Sequence, residues 1–234
     1  MSPKRSAAPL LMLPGLICDQ TVFEAQVAAF DDAIAFPGYG VADSFPNMAA
    51  AVLAVAPPRF SLLGHSMGAR VALEIWRTAP ERVERLALLS TGVHGVRPGE
   101  ADKRHGLRDL GRRDGMAALV DAWMPPMFGT EAAHDAALVA RLRAMSIRAG
   151  LAMYEAHITA LLSRPELESL LPGITCPTLV AVGDEDGWSP PAQHVAIARS
   201  IPGAQLQVIV GAGHMLPAEA PETVNELVRD WWAA

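Results

Sequence analysis

The chain has 234 residues and little of what would hold a fold together from outside its own core. Cys18 and Cys176 are its two cysteines, and they give neither a metal-ligand spacing nor a disulfide framework. A reducing compartment fits that usage, so a cytoplasmic location is expected. Charged residues make up only 19% and the net charge is −6, which leaves no electrostatic footprint for nucleic acid. One basic concentration exists, "KRHGLRDLGRR" at 103–113. With Asp109 inside it and helical spacing throughout, it reads as a solvated helix face. No apolar run approaches the ~18 residues of a spanning helix, so no membrane partner is expected. Lys4 and Arg5 ahead of "SAAPLLMLPGLIC" imitate a secretory signal. Pro9, Pro14 and Gly15 break that run, no A-x-A-like site follows, and "PLLMLPG" reads instead as a first strand and its turn. Internal repeats and low-complexity stretches are also lacking.

What the chain has is apolar residues, 51% of the total, enough for a large buried core. They fall in short runs that read as buried strands at Leu10–Leu13, Ala33–Phe36, Phe60–Leu63, Leu86–Ser90, Thr178–Val182 and Leu206–Val210. Amphipathic stretches near 21–31, 47–56, 67–79, 190–200 and 221–232 alternate with them as helices. Pro80 stops the third, and Ser189 before Pro190 reads as an N-cap with proline at the first helical position. Strands alternating with helices predict an α/β fold, a parallel sheet covered on both faces. From 94 to 173 the rhythm breaks, and every segment reads as helix. Such a stretch is too long for a plain connection.

Within "LLGHSMGARVALEIW", Ser66 stands between Gly64 and Gly68. The G-x-S-x-G pattern is weak alone. Here it follows a buried strand and opens an amphipathic helix, the context a nucleophile elbow requires. A hydroxyl needs a base, and the base an orienting acid. His214, in "VIVGAGHMLPAEAP" after the last strand, is placed to overhang the C-terminal edge of the sheet. His65, beside the serine, reads as pointing elsewhere. The acid is expected after the fifth strand, where "LVAVGDEDGWSPP" offers Asp184, Glu185 and Asp186. Asp186 is favoured because it completes G-x-x-D-x-x-x-P from Gly183 to Pro190, while Asp184 more naturally ends the strand. Backbone N–H groups of Met67 and of Leu16, in the loop after the first strand, are the candidates for an oxyanion hole. With sheet order 2-1-3-4-5-6, the switch point between strands one and three brings those two loops to one crevice.

Taken in order, "LPGLICD", "GYGVAD", "GHSMG", "GDEDGWSPP" and "GAGHMLPAEAP" resemble the α/β-hydrolase family over nearly the whole chain. Close members are small carboxylesterases and enol-lactonase-like proteins. The resemblance implies a three-layer α/β-hydrolase fold with a minimal six-stranded parallel sheet and a Ser66–Asp186–His214 triad. It implies no cofactor and no metal. It makes 1–93 and 174–234 the core domain and 94–173 a lid-like helical cap. Two departures stand out. Pro14-Gly15 replaces the family's common His-Gly, and the one or two N-terminal strands usual in the family are not seen.

A serine nucleophile implies cleavage of a small or medium, mostly apolar carboxylic ester or lactone through an acyl-enzyme. Acyl transfer, perhydrolysis or C–C hydrolysis on the same triad are the alternatives, as is a non-catalytic ligand-binding protein on the same scaffold. Trp123, Met127 and Tyr154 in the helical stretch, with Trp188 and Met215 beside the acid and base, are candidates for the substrate pocket. Met124, Phe128, Met145 and Met153 share that composition. The arginines of the same stretch read as solvent-facing, a weaker sign of a carboxylate-bearing substrate. A monomer or homodimer acting on a small molecule is expected.

Overall fold

A computed structural model of the chain describes residues 8–233. The signal-like feature at Lys4 and Arg5 lies outside them. Six strands form one sheet: β1 (Leu10–Leu13), β2 (Ala33–Ala35), β3 (Phe60–His65), β4 (Val83–Leu89), β5 (Thr178–Gly183) and β6 (Gln205–Ile209). Their order is β2-β1-β3-β4-β5-β6, and every pairing is parallel. The four inner strands are almost wholly buried, since the helices cover both faces of a parallel sheet. The outer two are not the buried strands their composition predicts. In β2 Ile34 is exposed, and in β6 Gln205, Gln207 and Val208 are. An edge strand has a neighbour on one side only, so its side chains gain less cover.

Helices α1 (Glu24–Ala29) and α9 (Pro221–Ala233) pack together, as do α2 (Phe45–Val55) and α3 (Met67–Thr78). Right-handed crossovers explain the two layers. The chain steps outward from β1 to β2 and back across β1 to β3, so α1 and α2 fall on opposite faces. Helix α7 (Pro191–Ser200) packs on β5 and β6, and the one-turn α8 (Leu216–Glu219) leads into α9. The start of α7 differs from expectation. Pro190 is the N-cap, no side chain caps it, and Pro191 takes the first turn. Ser189 instead gives its N–H to Asp186, 2.8 Å away.

Between β4 and β5 the described chain contains no strand. It forms α4 (Glu100–Asp114), α5 (Met116–Trp123) and α6 (Ala136–Leu162), which pack on one another. Gly150, at φ 79° and ψ 164°, interrupts α6, so its two halves run as separate helices. An L side chain rarely adopts that backbone, which is why glycine stands there.

Candidate active site

Ser66 sits at the turn from β3 into α3 with φ 55° and ψ −117°. That strained conformation, costing about 1–3 kcal/mol, lifts its side chain off the end of the strand. Gly68 makes the turn possible. A Cβ there would lie 2.0 Å from the Leu13 carbonyl oxygen, so any larger residue would force α3 off β1. Thr91, just beyond β4, donates its hydroxyl to the Ser66 carbonyl at 3.0 Å. The Thr91 N–H in turn is taken by His194 Nε2 at 2.8 Å.

His214 Nε2 lies 2.8 Å from Ser66 Oγ. Its Nδ1 lies 2.9 and 3.0 Å from the two carboxylate oxygens of Asp186. The serine, base and acid read from the sequence therefore form one hydrogen-bonded chain. Asp186 and His214 are buried and Ser66 is half-buried. Burial opposes ionisation of Asp186, but the His214 hydrogen bond and charge, with the Ser189 N–H, still hold its carboxyl below the ordinary value. Trp188 N–H also donates to it, at 2.9 Å. The two rival acids are used elsewhere. Asp184 accepts the Gly211 N–H at 2.7 Å, and Glu185 accepts the N–H and hydroxyl of Thr130 at 2.5 and 2.7 Å.

His214 is held by residues whose importance the sequence does not announce. Half-buried Glu219 accepts N–H groups from both neighbours of His214, Gly213 at 3.0 Å and Met215 at 2.7 Å, and from Gly129 at 2.7 Å. Burial lifts its carboxyl above the usual range despite those three donors. The His214 N–H donates to the Met127 carbonyl at 2.6 Å. Residues 127–130 are thus tied to the loops bearing Asp186 and His214. Gly213 permits this approach, since a Cβ on it would lie 2.3 Å from the Gly129 nitrogen. His65 points away from the serine hydroxyl and sets its Nε2 2.8 Å from the His214 carbonyl. Burial and the neighbouring His214 lower its pKa to about 4, so it is a neutral donor.

A cavity of about 390 Å³ opens above Ser66 and His214. Leu16 and Met67 line it, and so do all five pocket candidates, Trp123, Met127, Tyr154, Trp188 and Met215. Met124 and Phe128 line a separate, smaller hollow, while Met145 packs in the core and Met153 against it. In the Leu16 loop, Tyr39 donates its hydroxyl to the Pro14 carbonyl at 3.2 Å. Ile17, at φ 48°, gives its N–H to His157 of α6 at 3.3 Å. Burial raises the Cys18 thiol to about 12, which makes it inert. The 103–113 stretch is only partly a solvated face. Arg108, Arg112 and Arg113 pair with carboxylates at the surface, but Lys103, Arg104 and Leu107 line the cavity. One side of the first turns of α4 borders the cavity, which its charge pattern alone does not reveal.

A sequence model of the alpha/beta hydrolase family matches residues 10–227. RutD of Klebsiella pneumoniae is 29% identical over 206 residues, 84% of this chain and 74% of its own length. Among solved structures, a thermophilic esterase from Thermogutta terrifontis is 28% identical with a TM-score of 0.86, covering 97% of this chain and 90% of its own. The enol-lactonase from Burkholderia xenovorans shares the fold at 23% identity and a TM-score of 0.87, over 98% of this chain and 93% of its own. No helix among the described residues is long and apolar enough to cross a membrane. The chain belongs to the alpha/beta hydrolase family.

Proposed function

We propose that this hydrolase cleaves a small or medium, mostly apolar carboxylic ester or lactone through an acyl-enzyme on Ser66. The observation that carries the reading is the unbroken hydrogen-bonded chain from Asp186 through His214 to Ser66 Oγ at the floor of the cavity. His214 takes the hydroxyl proton as Oγ attacks the carbonyl carbon. Asp186 fixes the imidazole tautomer, with the proton on Nδ1, and stabilises the imidazolium that forms. The Leu16 and Met67 N–H groups receive the negative charge on the carbonyl oxygen. His214 then protonates the departing alkoxide, leaving an acyl ester on Ser66. Water, deprotonated by His214, attacks that ester. The acid is released and the serine regains its proton.

Residues 94–173 act as a cap that shapes the acyl pocket. Trp123 and Trp188 meet edge-on at 6.5 Å, and Trp188 stands 6.4 Å from the His214 ring. This aromatic wall favours an apolar group beside the scissile bond. Because residues 127–130 are bonded to the base and acid loops, that part of the cap is a fixed wall.

The test is hydrolysis of a p-nitrophenyl ester series, acetate to dodecanoate, by wild type and Ser66→Ala. Turnover with a chain-length optimum, and loss of at least about a thousandfold in the variant, is the expected result. A variant within about a hundredfold of wild type would reject Ser66 as nucleophile.

A further inference from the structure

The charges around the cavity are strongly biased. Five of the six Arg, Lys and Glu side chains that line it are cationic: Arg70, Arg97, Lys103, Arg104 and Arg164, against Glu100 alone. The whole chain carries −6, so these cations are concentrated here against the background. Glu100 is already committed. It accepts from Arg104 at 2.7 Å and Arg164 at 2.6 Å. Burial opposes its ionisation, yet those two arginines hold its carboxyl down at about 2. Arg70, Arg97 and Lys103 have no ion-pair partner among the described residues.

Arg70 is the most telling of the three. It lies in the first turn of α3, four residues after Ser66, and is only 4% exposed. Its two Nη atoms donate to the backbone carbonyls of Gly92, His94 and Pro165, and its Nε–H has no partner. Phe45 covers its guanidinium at 5.5 Å. Burial and the neighbouring Arg164 lower its pKa to about 10, partly offset by Glu168 and Glu100, neither of which reaches ion-pair distance, so the direct partners of this charge are carbonyl dipoles. Arg97 and Lys103 stand exposed at the rim above it. The wall beside His214, by contrast, is apolar: Trp123, Met127, Trp188 and Met215.

We infer that the substrate is amphipathic: its ester or lactone group reacts at Ser66 with an apolar segment against the tryptophans, and its far end carries a carboxylate received by Arg97 and Lys103 at the rim above Arg70. A monoester of a dicarboxylic acid, or a lactone with a free carboxylate, has this layout. The inference rests on the ester-hydrolase reading of Ser66 and narrows its substrate class.

The test compares p-nitrophenyl hexanoate with mono-p-nitrophenyl adipate, which differ only in a terminal methyl or carboxylate. The wild-type kcat/KM should favour the adipate by about tenfold or more at low salt, and the preference should shrink as salt rises. Arg97→Ala with Lys103→Ala should bring the ratio to within about twofold of one, and Lys103→Glu should lower it further. A wild-type ratio at or below one, or a ratio these variants leave unmoved, overturns the inference. Tryptophan fluorescence of Ser66→Ala separates this from the chemistry, using monomethyl adipate and methyl hexanoate as the ligands. Tighter binding of the adipate, lost in the rim variants, supports the anion site even if neither nitrophenyl ester turns over. Equal or weaker binding refutes it.

Discussion

At the scale of single residues, the candidate site divides into the hydrogen-bonded chain Asp186–His214–Ser66 and the groups that hold it in place. Glu219 is the clearest of the second kind. Its carboxylate gathers three backbone N–H groups around His214 without touching Ser66. Glu219→Gln replaces an oxygen with an amide donor that faces those N–H groups, leaving at least one buried donor unpaired at a cost of about 1–3 kcal/mol. Steady-state kinetics and a thermal melt should show kcat reduced roughly tenfold with KM little changed, and Tm lowered by several degrees. A kcat equal to wild type would remove Glu219 from the positioning of the base. The sequence makes Ser66, His214 and Asp186 legible because each sits in a short local pattern next to a strand end. His65, Thr91 and Arg70 are not legible in the same way, and neither is the bond from the Gly129 N–H to Glu219. Their roles arise from partners far along the chain, as with His65 and the His214 carbonyl, and no local pattern encodes a contact of that separation.

At the scale of elements, the strand–turn–helix unit from β3 through Ser66 into α3 follows directly from the sequence, since a buried run, a glycine pair and an amphipathic helix each have their own signature. The start of α7 does not. Two prolines follow Ser189, and which one opens the helix is decided by Asp186, which takes the Trp188 and Ser189 N–H groups. Helix α4 shows a similar limit. Its arginines and acids look solvated in sequence, but the packing of α4 on α5 and α6 turns Lys103, Arg104 and Leu107 toward the cavity. Charge patterning identifies a polar face. It does not say whether that face meets bulk water or a substrate cavity.

At the scale of the molecule, alternation of strands and helices carries the six-stranded parallel sheet and its order, because handedness leaves few ways to wind it. Exposure of the edge strands is less legible, as apolar content says nothing of which strand has a free side. Three buried histidines, His65, His157 and His194, have pKa values lowered to about 4, chiefly by desolvation. Between about pH 6.5 and 4 the unfolded chain binds protons at these sites and the folded chain does not, so stability falls as pH drops through that window. Urea unfolding should show a loss of roughly 2 kcal/mol per histidine between pH 7 and pH 5. A midpoint independent of pH would contradict their neutral burial. The central claim, that Ser66 carries the acyl group, is tested most directly by rapidly quenching the wild type with a p-nitrophenyl ester and mapping the modified peptide by mass spectrometry. The account predicts a burst of nitrophenolate and the acyl mass on Ser66, absent from Ser66→Ala. Turnover with the acyl group on another residue, or persisting in Ser66→Ala, would contradict it.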